Sequence, residues 1–126
     1  MALNVLVTDD SAVMRAMIIR TLRMTEVELG EITQAANGVE ALAVLDEQWV
    51  DVALIDINMP VMNGIELLET IAGRPYAGGL RTIVISTEGS DPRITTVHRL
   101  GAAFVHKPFT PEELRDTLLR ITGVAA

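Results

Sequence analysis

The chain has 126 residues, 10 of them basic and 17 acidic, for a net charge of −7. That length allows one domain with a core large enough to fold without a metal or disulfide staple. No cysteine is present, which excludes a thiol nucleophile and a cysteine-ligated metal; the acidic balance argues against nucleic acid as a direct partner. No apolar run approaches the roughly 20 residues of a membrane span, and no charged-then-apolar leader opens the chain, so a cytoplasmic protein is expected.

Short β-like runs alternate with helical patterns. Leu3 to Thr8 reads as a first strand, apolar and β-branched as a strand covered on both faces should be. Ser11 reads as a helix cap, and Met14, Met17, Ile18, Thr21 and Leu22 then share one face as a core stripe, with Arg15, Arg20 and Arg23 off it. Glu31 to Ala35 is a second strand, Asn37-Gly38 a turn, and Gly38, Ala41, Leu42, Leu45 and Trp49 the stripe of a second helix. Val50 to Ile55 is a third strand ending at Asp56, followed by a loop and a helix from Ile65 to Ala72. Thr82 to Ile85 is the fourth strand. Asp91-Pro92 reads as cap and first residue of a helix that stops at Gly101. Ala103 to His106 is the fifth strand, and Thr110-Pro111-Glu112-Glu113 opens a last helix that buries Pro111, Leu114, Leu118 and Ile121.

Five βα units predict an α/β fold, a doubly wound parallel sheet with right-handed crossovers and helices on both faces. The last helix ends close to Ala126, so one domain over residues 1–126 with no attached effector is expected. In such a sheet ligands bind beyond the carboxyl ends of the strands. The residues that stop the strands are Asp9-Asp10, Asp56, Ser86-Thr87 and Lys107. Each has an ordinary reading alone, as a turn former, a loop cap or a solvated lysine. Their convergence on one edge does not. Three clustered carboxylates repel unless a cation neutralises them, and with oxygen ligands only a hard ion such as Mg²⁺ fits best.

This constellation resembles the receiver domain of bacterial response regulators, and among them the CheY-like single-domain chemotaxis regulators. The matching residues are Asp9-Asp10, the run Asp56-Ile57-Asn58-Met59-Pro60-Val61-Met62-Asn63-Gly64, Ser86, and Lys107-Pro108-Phe109. The resemblance implies a flavodoxin-like (βα)5 fold with strand order 2-1-3-4-5. It implies that Asp56 accepts a phosphoryl group from a histidine kinase or a small acyl phosphate. Asp10, Asp56 and the Asn58 backbone carbonyl would bind Mg²⁺, Asp9 would act mainly through water, and Lys107 and Ser86 would hold the phosphoryl oxygens. It further implies a cis Lys107-Pro108 bond, a switch formed by Ser86 and Phe104, and control of phosphoryl lifetime by Asn58 and Glu88. A monomer is implied that signals to a flagellar motor switch protein through the fourth helix, fifth strand and fifth helix, with Arg93, Thr95, Thr96, Arg99 and Arg115 as candidate contacts. Phe104 has no hydroxyl, so it would report phosphorylation by packing alone.

Two other histories stay open. The receiver could serve as a phosphorelay intermediate or phosphate sink. From another class, a Mg²⁺-dependent phosphohydrolase also uses a strand-end aspartyl phosphate, but it carries a second Asp where this chain has Asn58. A flavin protein is disfavoured because no Ser/Thr/Gly-rich phosphate loop follows the first strand. His98 and His106 have no partner ligands at suitable spacing and read as surface or strand residues. Trp49 lies seven residues before Asp56, at the far end of the third strand, about 23 Å away at about 3.3 Å per residue.

Overall fold

The structure, a computed structural model, describes residues 2–87 and 90–123. Its strands are β1 (Leu3–Thr8), β2 (Leu29–Ala35), β3 (Val52–Asp56), β4 (Arg81–Ser86) and β5 (Ala103–His106), and its helices α1 (Ala12–Met24), α2 (Gly38–Glu47), α3 (Gly64–Ile71), α4 (Asp91–Arg99) and α5 (Pro111–Thr122). The strands form one parallel sheet in the order β2-β1-β3-β4-β5. This is the flavodoxin-like order expected for a receiver.

Alternation along the strands divides the core in two. Leu3, Val5, Val7, Leu54, Ile83 and Ile85 face α1 and α5, where they meet Ile18, Leu22, Leu114 and Leu118. Leu6, Ala53, Ile55 and Val84 face the other layer, meeting Ala41, Leu45, Leu67, Ile71 and Val97. A central strand buried on both faces needs apolar residues at every position, which is why β3 and β4 read as continuous runs.

Local chemistry starts each helix. Ser11 Oγ accepts from the Met14 amide at 3.2 Å and Thr110 Oγ1 from the Glu113 amide at 3.1 Å, both as expected. Asn37 does more than turn the chain: its side chain accepts from the Glu40 amide at 2.9 Å and caps α2. Asn63 and Glu66 form a reciprocal capping box at the start of α3. At α4 the cap position is Ser90, one residue earlier than expected, so Asp91 is the first helical residue.

Three stripe assignments need correction. Backbone pairing ends α2 at Glu47, and Gln48 is already extended at φ −138° and ψ 155°. Trp49 therefore leaves the helix face, stands 62% exposed and donates its indole N–H to Asp51 Oδ1 at 2.8 Å. Only Ile18 and Leu22 of the α1 stripe are buried; Met14 is half-buried and Met17 is 57% exposed. In α5, Leu114 and Leu118 are buried while Pro111 and Ile121 are half-buried. The strand bounds shift by one or two residues, because β2 pairs from Leu29 against Leu3 and β3 pairs from Val52 against Val5.

Candidate functional site

Parallel strands all end at one edge of the sheet, and there β1, β3, β4 and β5 deliver Asp9-Asp10, Asp56, Ser86 and Lys107. One carboxylate oxygen each from Asp9, Asp10 and Asp56 lies within 4.8 Å of the others. Asp9 is buried, Asp56 half-buried and Asp10 exposed. Lys107 Nζ is 3.2 Å from Asp9 Oδ2 and 3.7 Å from Asp56 Oδ1. Its position follows from the sheet: the Lys107 amide donates to the Ser86 carbonyl at 2.9 Å, extending the β4–β5 ladder beyond its last pair. The Lys107-Pro108 bond is cis, as the resemblance implied.

Glycines shape the loop that carries Asp56. The Gly64 amide donates to the Ile57 carbonyl at 2.9 Å, and a Cβ at Gly64 would lie 2.4 Å from the Asp56 carbonyl oxygen. Gly38 likewise lets α2 approach the loop: its amide donates to the Met62 carbonyl at 3.2 Å, and a Cβ there would lie 2.6 Å from the Met62 side chain. Between Pro60 and Met62 the chain turns through Val61 at φ 69°, closed by a Met62 amide to Pro60 carbonyl bond of 2.7 Å. Val61 is β-branched and 79% exposed, so this left-handed backbone is strained.

Burial pushes the Asp56 carboxyl above its ordinary value, opposed by Lys107 and reinforced by the charges of Asp9 and Asp10. An all-oxygen cluster of this kind fits a hard divalent cation, and the exposure of Asp10 leaves one side open to solvent. Asn58 is exposed on the loop two residues past Asp56, and Ser86 is fully buried at the end of β4. Phe104 is half-buried on β5, its ring 6.4 Å from that of the exposed His106. Glu88 lies outside the described residues. Among the expected output contacts, Arg93, Thr95 and Arg99 are exposed while Thr96 and Arg115 are half-buried.

Two features escaped the sequence reading. Met14, Met17, Ile18 and Thr21 do not all join the core; with Lys107, Pro108 and Phe109 they line an apolar groove of about 290 Å³ beside the site. Arg15, read only as lying off the α1 stripe, reaches back to the strand end and donates Nη1 to the Asp9 carbonyl and Nε to Gln34 Oε1. Its place one helical turn past the Ser11 cap was the available signal.

A 2-1-3-4-5 parallel sheet that gathers three aspartates and a lysine at its carboxyl edge is a receiver-type signalling domain. The chain belongs to the response regulator receiver domain family, which matches residues 5–119, and within it is CheY-like. It is 33% identical over 126 residues to a chemotaxis protein CheY homolog of Campylobacter jejuni, covering 98% of this chain and 95% of that one. It is 34% identical over 123 residues to chemotaxis protein CheY1 of Helicobacter pylori, covering 96% and 98%. The structure of Vibrio cholerae chemotaxis protein CheY4 superposes with a TM-score of 0.84 at 34% identity, covering 96% of this chain and 99% of that one. The protein is thus a response regulator, a signalling protein and not a classical enzyme. Among the described residues no helix is long and apolar enough to cross a membrane.

Proposed function

We propose that residues 1–126 form the phosphoacceptor of a cytoplasmic two-component system serving chemotaxis, with Asp56 as the accepting residue. The observation that carries this is one ammonium group reaching two strand-end carboxylates, Lys107 Nζ to Asp9 at 3.2 Å and to Asp56 at 3.7 Å. In the transfer, the N–P bond of a histidine-kinase phosphohistidine breaks and a bond forms from an Asp56 oxygen to phosphorus. The histidine nitrogen leaves with the electron pair. Nucleophile and phosphoryl group are both anionic, so the protein's work is to orient and to screen charge.

Asp56 is oriented by its place as the last residue of β3 and by the Gly64–Ile57 bond behind it. Lys107 moves its charge from the carboxylates to the incoming phosphoryl oxygens, and the Ser86 hydroxyl donates to one of them. Asp10, Asp56 and the Asn58 carbonyl would hold Mg²⁺, with Asp9 acting through water. When bound, that ion supplies further positive charge against the developing phosphoryl oxygens. Asn58 and Glu88 would set how long the acyl phosphate survives. Ser86 and Phe104 would pass the change to the face formed by α4, β5 and α5, where a flagellar motor switch protein is the proposed reader. The relatives named as chemotaxis proteins support that pathway.

The test compares native protein and Asp56→Asn with acetyl phosphate and Mg²⁺, read by intact mass. The native chain should gain one phosphoryl group and the variant none; equal gain would move the acceptor elsewhere. A pull-down with native protein, with and without beryllofluoride and Mg²⁺, identifies the reader.

A further inference from the structure

Every polar group of Asp9 is held, each from a different part of the chain. Its amide donates to Ala35 O at 3.1 Å, Oδ1 accepts from the Ser11 amide at 2.9 Å, and Oδ2 accepts from Lys107 at 3.2 Å. The carbonyl accepts from Arg15 Nη1, while Arg15 Nε is anchored by Gln34 Oε1 at 2.9 Å. Asp10 is the opposite case: it is exposed, and its carboxylate has no hydrogen-bond partner among the described residues. Among the described residues Asp10 is aimed through its backbone, by the Ser11 amide bonded back to Asp9 Oδ1 on one side and by the peptide plane joining it to Asp9 on the other. Arg15 holds that plane.

We infer that Arg15, braced by Gln34, is a positioning residue that fixes the Asp9–Asp10 peptide and so aims Asp10 at a divalent cation. This rests on the proposed reading of Asp9, Asp10 and Asp56 as the Mg²⁺ site. A guanidinium fork suits the task because it engages two acceptors at once in a fixed geometry, which an ammonium group cannot do. The charge of Arg15 works in the contrary direction, since a cation close to a cation site repels the ion. Geometry and charge therefore predict opposite signs when Arg15 is removed.

The test is a calorimetric Mg²⁺ titration at fixed ionic strength, with metal-free melting curves alongside. Arg15→Met keeps the stem and loses the fork; it should weaken Mg²⁺ binding about tenfold, the lower end for partners that orient metal ligands. Arg15→Lys keeps the charge and should weaken it comparably. Gln34→Ala, on an exposed side chain, should weaken it less than the Arg15 variants do, with no change in metal-free melting, which a purely structural role would not produce. It also carries the test if an Arg15 variant fails to fold. Asp10→Asn separates the two levels. If Asp10→Asn loses affinity while the Arg15 and Gln34 variants bind as tightly as native or tighter, the positioning role is overturned. If Asp10→Asn binds as native does, the Mg²⁺ site itself is wrong, and the inference falls with it.

Discussion

Replacing Asp56 by Asn should make the metal-free protein more stable at neutral pH. The attraction between Asp56 and Lys107 at 3.7 Å is about 4.5 kcal/mol at an effective dielectric constant of about 20. A carboxylate of Asp9 no farther than 4.8 Å away opposes it by at least about 3.5 kcal/mol on the same scale, and Asp10, exposed and screened, adds a smaller repulsion. The Coulomb contributions nearly cancel. What decides the sign is the desolvation of a carboxylate whose side chain is only 12% exposed, and about 2 kcal/mol of net cost is the expected scale. Asn keeps the shape and removes the charge, so the variant should melt about 8 °C higher at about 4 °C per kcal/mol for a chain of this length. Because the folded state raises the Asp56 pKa above 3.8, it holds the proton more tightly than the unfolded chain does. Native protein therefore gains stability as pH falls through that raised value. The advantage of the variant is complete above it and disappears toward pH 3.8. Mg²⁺ should narrow the gap from the other side by stabilising native protein more than the variant. Thermal melts across pH, with EDTA and with Mg²⁺, measure all three; a variant no more stable than native at pH 7 in EDTA would refute the reasoning.

Thr8 is 1% exposed and its hydroxyl has no partner among the described residues, so Thr8→Val should gain about 1–2 kcal/mol in a urea melt. Gly64→Ala would set a Cβ 2.4 Å from the Asp56 carbonyl oxygen; it should cost about 1–3 kcal/mol and slow labelling by acetyl phosphate by displacing the acceptor. Val61→Gly relaxes a left-handed backbone at φ 69° and should stabilise by about 1 kcal/mol, measured by urea melting. Trp49, which precedes β3 at the end of the sheet opposite Asp56 and is tied to Asp51, should show little quenching by Mg²⁺, and strong direct quenching would contradict that placement.

The carboxyl edge was legible because composition marks the strand ends: Lys107 and Pro108 follow directly on β5, and Asp56 is the last of the five residues of β3, after four apolar ones. Periodicity misled where a pattern outlasted its element. Trp49 keeps the i, i+4 spacing from Leu45, yet α2 has already ended at Glu47. Met17 falls on the α1 stripe, but α5 and the β5–α5 loop do not close over that part of the helix, which leaves the groove beside Lys107. Arg15 was illegible for a different reason. Spacing places a side chain on a face, while the length of an arginine lets it act on a strand end behind that face.

The two ends of the sheet differ in how well local rules are kept. At the amino end, the amides and side chains of Asn4 and Asp51 satisfy one another: Asn4 N–H donates to Asp51 Oδ2 at 2.8 Å, Asp51 N–H to Asn4 O at 2.8 Å, and Asn4 Oδ1 accepts from the Glu31 amide at 2.9 Å. Trp49 closes that network through Asp51. At the carboxyl end lie a buried hydroxyl, that of Thr8, without a partner among the described residues, a β-branched residue with positive φ, and carboxylates within 4.8 Å of one another. Away from this edge Glu26, at φ 64° between α1 and β2, is a further departure. Such concentration is what a fold shows when its stability is supplied in one place and its chemistry in another. The net charge of −7 is uninformative as a total, but three of those acids are held together against their repulsion, and the stabilisation that holds them lies in the paired amino edge and the two core layers.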